Sequence, residues 1–144
     1  MSVRLSGPRG LPALDRRRLR GRAQRMLRAL EMPDAEISIS LVGDSAISEL
    51  NVTYRDKQGA TDVLSFSLLE GDHSERRGTL LGDVVVSLET AARQAARGGR
   101  SLDQEVLRLL IHGALHLLGH DHEEAGEARR MRAEERRLWR LLWP

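Results

Sequence analysis

Four of the chain's five histidines crowd into the segment from His112 to His122, and their spacing is that of a metal site. His112 and His116 stand four residues apart inside an apolar run, so a helix would project both from one face, about one turn apart. Gly119 follows three residues after His116. A glycine there can take a positive φ where the helix ends and turn the chain back. His122, three residues further on, could then approach the pair from outside the helix. Three imidazoles with one coordination position open to water are the ligand set of a catalytic zinc. His120 lies in the same turn, either supporting a ligand or facing solvent. The chain has no cysteine, so any metal must rest on imidazole and carboxylate.

The spacing H-x-x-x-H-x-x-G-x-x-H is also that of the metzincin proteases, H-E-x-x-H-x-x-G-x-x-H, with one substitution. Where those enzymes carry the glutamate that takes a proton from the metal-bound water, this chain has Gly113. The metal geometry survives that change and the proton acceptor does not. Peptide hydrolysis by that route is therefore disfavoured.

The ligand pair needs a rigid helix, and the sequence supplies the signals for one. Ser101 with Gln104 forms a capping box, and Val106, Leu109, Leu110 and Leu117 fall on core-facing positions. Around it the pattern alternates between strands and helices. Val3–Leu5 reads as a short strand, and a helix follows from about Pro12 or Asp15 to Glu31, with Leu19, Ala23, Met26, Leu27 and Leu30 at helical spacing. Glu36–Val42 alternates as a half-buried strand. Gly43-Asp44-Ser45 closes it and caps a helix reaching about Tyr54. Asp62–Leu68 and Leu80–Ser87 read as two more strands, the valines at 84–86 suggesting burial on both faces. The polar stretch Glu70–Gly78, which includes His73, reads as an exposed loop. Leu88–Arg97 is a helix ended by Gly98-Gly99, and Glu123–Trp143 is a final helix packed through Ala128, Met131, Leu138 and Leu142. Its remaining charges read mostly as a solvated face.

At 144 residues, with 40% hydrophobic and 31% charged residues, the chain fits one soluble globular domain spanning 1–144. No apolar run approaches the length of a membrane span. The net charge is only +2, but residues 1–30 hold nine arginines against one acid, Asp15. That asymmetry points to a solvated helix face or to contact with a polyanion such as RNA. An Arg-rich start is also a feature of mitochondrial transit peptides, although this one is short of serine and carries a helix able to dock.

Four stretches together resemble one family. The run His112-Gly113-Ala114-Leu115-His116-Leu117-Leu118-Gly119-His120-Asp121-His122 resembles the H-G-x-L-H-L-x-G-x-D-H signature of the YbeY family, metal-dependent endoribonucleases of bacterial ribosomal RNA maturation. Leu50-Asn51-Val52-Thr53-Tyr54-Arg55 and Thr61-Asp62-Val63-Leu64-Ser65-Phe66 resemble its L-N-x-x-Y-R and T-D-V-L-S-F blocks, and Gly82–Ser87 its G-D-I-x-I-S strand. His120 departs from the pattern, which usually has tyrosine there.

The resemblance implies an α+β fold, a small mixed β-sheet packed against about five helices, with the metal site on a central helix and the turn after it. It implies His112, His116 and His122 as ligands, zinc as the ion, and Arg55 as the functional arginine. A guanidinium fork there suits phosphate oxygens that gain charge during cleavage. Asp121 could orient a ligand histidine through its free ring N–H. The implied substrate is single-stranded RNA, ribosomal RNA in particular, with the ribosome or small-subunit ribosomal proteins as partners, no DNA and no membrane, in the cytoplasm. Two rivals stand beside this reading: a metal-dependent hydrolase of peptides or small esters, and a non-catalytic ribosome-assembly factor whose metal only braces the fold.

Overall fold

The computed structural model describes residues 2–8, 10–55, 59–67, 80–120 and 124–143, without the side chains of Ser2 and Arg55. Four strands and five helices alternate in the order β1 (Ser2–Ser6), α1 (Arg16–Ala29), β2 (Glu36–Val42), α2 (Asp44–Arg55), β3 (Val63–Ser67), β4 (Leu80–Ser87), α3 (Leu88–Gly98), α4 (Leu102–Leu117) and α5 (Ala125–Leu142). The strands form one mixed sheet in the order β1-β2-β4-β3. The first three are parallel, and β3 runs antiparallel to β4 along the edge, Ser65 opposite Val84. The expected α+β architecture, a small mixed sheet against five helices, is the one found.

Burial follows the pattern in the sequence. Ile37, Ile39 and Leu41 of β2 are fully buried while their neighbours are half-exposed, as alternation requires. In β4, Val84 and Val86 face the main core and Val85 faces the other side, where it packs with Ile47 of α2 and Leu64 of β3. Burial on both faces explains the unbroken valine run. The helix α4 is the centre of the main core: ten of its 16 residues are buried, and it packs against the sheet, α1, α3 and α5. A helix apolar around most of its circumference belongs inside rather than on the surface.

Two expectations are revised. The first helix starts at Arg16 with Asp15 as its cap, the Asp15 carboxylate accepting from the Arg18 N–H, and it stops at Ala29. Asp44 does not cap α2 from outside but is its first residue. Its N–H donates to Glu89 Oε1 of α3 at 2.8 Å, while its own carboxylate accepts from the hydroxyls of Ser87 and Thr90, both at 2.6 Å, and from Arg93. Glu89 of α3 thus caps α2, whereas α3 is capped by Ser87, whose Oγ accepts from the Thr90 N–H, and Asp44 ties that cap to the start of α2 through hydroxyls and a guanidinium. These bonds push the Asp44 carboxyl down to about 2.

Candidate metal centre

The capping box at the start of α4 is present: Gln104 N–H donates to Ser101 Oγ at 3.1 Å, and Ser101 N–H donates to Gln104 Oε1 at 2.9 Å. At the other end Gly119 takes φ 90°, its N–H bonded to His116 O and the His120 N–H to Leu115 O. That double closure is the glycine-terminated C-cap expected from the spacing. The turn therefore sends the chain away from the helix directly after the two histidines.

The rotation of α4 about its axis is set from the edge strand. Ser65 Oγ donates to Gly113 O at 3.0 Å and Ser67 Oγ to Leu117 O at 3.1 Å, one helical turn apart on the sheet-facing side. Gly113 makes this approach possible. A Cβ there would lie 2.9 Å from Val84 Cγ1 and 3.0 Å from Ser65 Oγ. The position that holds the general base in metzincins is thus pressed against β3 and β4, with no room for a glutamate. With that side against the sheet, His112 and His116 emerge on the side toward α5.

There the two rings meet. His116 Nε2 lies 3.1 Å from His112 Nε2, the ring centroids 4.6 Å apart and inclined at 74°. Two nitrogens each bound to one tetrahedral zinc would be separated by about 3.3 Å. On its outer side His112 Nδ1 faces Glu135 Oε2 of α5 at 3.2 Å. A carboxylate accepting from Nδ1–H leaves the Nε2 lone pair turned toward His116, the tautomer a metal ligand needs. The hydrogen bond from His112 holds the Glu135 carboxyl below its usual range against the opposing effect of burial. This carboxylate was not among the residues singled out from the sequence. Its one signal was position: Glu135 lies four residues after Met131 and three before Leu138, on the edge of the buried stripe of α5.

The other expected site residues are distributed differently. His120 is half-buried and near Glu134, whose carboxyl is lowered chiefly by its hydrogen bonds to Arg137 and in smaller part by His120. Arg55 is the last residue of α2, with its side chain outside the description. Asp121 and His122 lie outside the described residues, as does His73. Among the described residues no cluster of three possible metal ligands forms. Two imidazoles at ligand separation, backed by a carboxylate, fit two-thirds of a three-histidine zinc site.

The upstream blocks have structural tasks. Asn51 is buried and its Nδ2 donates to Gly59 O, and Tyr54 meets Phe66 edge-on at 5.6 Å. Asp62 accepts from the Val63 N–H and from Gln94 of α3, which fastens the start of β3. These contacts hold the strand whose serines grip α4.

Comparison with known proteins agrees with this frame. The family model described as Endoribonuclease YbeY matches residues 13–142. The chain belongs to the YbeY family. It is 55% identical to the Endoribonuclease YbeY of Anaeromyxobacter sp. (strain Fw109-5) over 97% of this chain and 71% of that one. It is 41% identical to that of Geobacter sulfurreducens over 99% of this chain and 96% of the relative. The solution structure of TM1509 from Thermotoga maritima superposes with a TM-score of 0.69 at 26% identity, covering 99% of this chain and 89% of that one. Among the described residues, no helix of this YbeY-family chain is long and apolar enough to cross a membrane.

Proposed function

We propose that this chain is a zinc-dependent endoribonuclease, a single catalytic domain that cleaves single-stranded RNA during maturation of ribosomal RNA. The substrate would be the 3′ end of small-subunit rRNA, with a further part in ribosome quality control, in the cytoplasm and in contact with the ribosome or its small-subunit proteins. The observation that carries the proposal is the pair of imidazole nitrogens 3.1 Å apart, with Glu135 behind one of them, in a chain of an endoribonuclease family. His112 and His116, with His122 as third ligand, would hold the ion, which supplies Lewis acidity toward water and a phosphate oxygen. Glu135 keeps His112 in the ligand tautomer. Arg55 would bind the scissile phosphate through its guanidinium fork, and Asp121 and His120 would support the ligands.

Peptide hydrolysis fits less well, because the only position from which a metzincin base could act is closed by Val84 and Ser65. The test combines elemental analysis of purified protein with cleavage of single-stranded RNA and of casein, run beside His116→Ala purified identically. One zinc per chain and RNA cleavage that a chelator abolishes and His116→Ala lacks are expected. Casein cleavage lost in His116→Ala, with RNA intact throughout, would overturn the proposal. Stoichiometric metal without any RNA cleavage would favour the assembly-factor reading.

A further inference from the structure

A groove of about 1130 Å³ starts at His112 and Glu135 and runs away from the metal centre between α3, α4 and α5. Its walls carry six arginines (Arg97, Arg100, Arg108, Arg132, Arg136 and Arg140) against three carboxylates. The carboxylates are already engaged: Asp62 by Gln94, Glu135 by His112, and buried Glu105 by Arg100 and Arg108 at 2.7 and 2.9 Å. The other four arginines are exposed, and among the described residues none makes an ion pair or a side-chain hydrogen bond. A solvated face would scatter such charges. Here they converge on one concave surface, where their mutual repulsion calls for a polyanion.

The spacing along α5 suits a particular polyanion. Arg132, Arg136 and Arg140 follow one another at intervals of four, so they form a row on one side of the helix with steps of about 6 Å. Trp139 lines the groove between them, its ring stacked on Trp143 at 5.8 Å with an interplanar angle of 10°. The Arg22 guanidinium lies 4.1 Å over the Trp143 ring, so Trp139 belongs to a braced aromatic stack. A row of guanidinium forks for phosphates beside an aromatic surface for bases is the equipment of a single-strand track. An acidic protein surface would use the charges but not the regular row or the ring.

We infer that the α3–α4–α5 groove, lined by Arg132, Arg136, Trp139 and Arg140, binds about two or three nucleotides of single-stranded RNA flanking the bond at the metal centre. The inference rests on the proposed RNA substrate for its direction, but it concerns binding rather than cleavage. It makes α5 the element that couples the two, because one face of this helix carries both Glu135, which sets His112, and the arginine row.

The test uses zinc-loaded protein and 2′-O-methyl RNA, which resists cleavage, with fluorescence anisotropy at several salt concentrations. A strand of about ten nucleotides should bind the double variant Arg136→Gln/Arg140→Gln roughly fivefold or more weakly, and the slope of log K against log salt should fall by about 1.4, near 0.7 per lost phosphate contact. A trinucleotide confined to the metal centre should lose much less. Arg132→Gln, a single change on the same row, should lower the slope by about half as much. Unchanged affinity and slope in variants that melt like the wild type would overturn the inference. So would a polyglutamate peptide that binds the wild type as tightly as RNA does and is the only ligand the variant loses. Because the probe is not cleaved, an inactive protein that still shows this salt dependence would sink the proposed function and leave the groove standing.

Discussion

The two sides of α4 are built by opposite rules. On the side toward the sheet, Gly113 is pressed against Val84 and Ser65, and two serine hydroxyls hold backbone carbonyls. These groups are tightly packed or hydrogen-bonded to fixed partners. Toward α5, His112 and His116 are half-buried, and their polar atoms face each other, a carboxylate and a groove lined with arginine. The first side decides where the helix lies and how it is rotated. The second can then carry chemistry at little risk to the fold. The same sixteen residues thus show that precision at the site comes from residues that never touch it.

If the sides are independent, substitutions should dissociate stability from metal binding. The largest effect is expected for His116→Ala, which removes one proposed ligand of the open side and should weaken zinc binding on the order of a thousandfold. Its metal-free melting temperature should stay within a few degrees of the wild type. A collapse of the metal-free fold in this variant would show that the open side is also structural, and the contrast would fail.

The reverse experiment places a glutamate at Gly113, restoring the metzincin pattern. Its side chain would have to enter the space between α4 and the sheet, so a loss of roughly 3 kcal/mol or more is expected from overpacking and a buried charge. Urea unfolding measures it directly. A variant as stable as the wild type, with new casein cleavage, would mean that α4 can rotate and that the serine contacts do not define its position.

Glu135→Gln sharpens the comparison within the open side. The amide can still accept from His112 Nδ1–H, but it lacks the charge. Partners of this kind typically account for about 10- to 100-fold in metal affinity. Competition with a chromogenic chelator should find a loss in that range with unfolding unchanged. A value equal to the wild type would mean that Glu135 only happens to lie beside His112.

The two sides were not equally legible in the sequence. The open side was the easier to read, because residues that share one face of a helix must obey a local spacing, as His112 and His116 do, and Gly119 ends the helix where that spacing places its end. Local rules also placed the capping box at Ser101 and Gln104, the edges of β2 and β4, and the buried stripe of α5. What could not be read was whatever depends on how two distant elements meet. Ser65 and Ser67 looked like ordinary strand residues, since a serine carries no mark that its hydroxyl will find a carbonyl about fifty positions away. Gly113 was read as a missing base, whereas it is chiefly a contact point. The arginines illustrate the same limit. In α1, Arg16 and Arg20 donate to backbone carbonyls of Gly7, Pro8 and Val3, and Arg22 covers Trp143. In α5, Arg132, Arg136 and Arg140 line a groove. Composition singled out the first set as a candidate for a polyanion, and it carried no sign that the second set would line one concave surface.

The smallest effect concerns the scaffold that carries the closed side, at the junction where α2 and α3 start. The Asp44 carboxyl is lowered from 3.8 to about 2, first by the Ser87 hydroxyl, then by Thr90 and Arg93, against the opposing effect of burial. A carboxyl with a depressed folded-state pKa stabilises fully above its unfolded value, and that contribution disappears as pH falls through the folded value. Asp44→Asn should therefore cost roughly 1 kcal/mol at neutral pH, in line with the weakening of hydrogen bonds to a charged acceptor. The gap between variant and wild type should stay constant down to about pH 4 and close between there and about pH 2. Metal-free protein is the sample of choice, since histidine ligands release zinc on acidification and would add a second transition. Urea midpoints measured across that range decide it: a gap absent at neutral pH, or one that does not close on acidification, would mean that the bonds Asp44 accepts from Ser87, Thr90 and Arg93 do not stabilise the junction of α2 and α3.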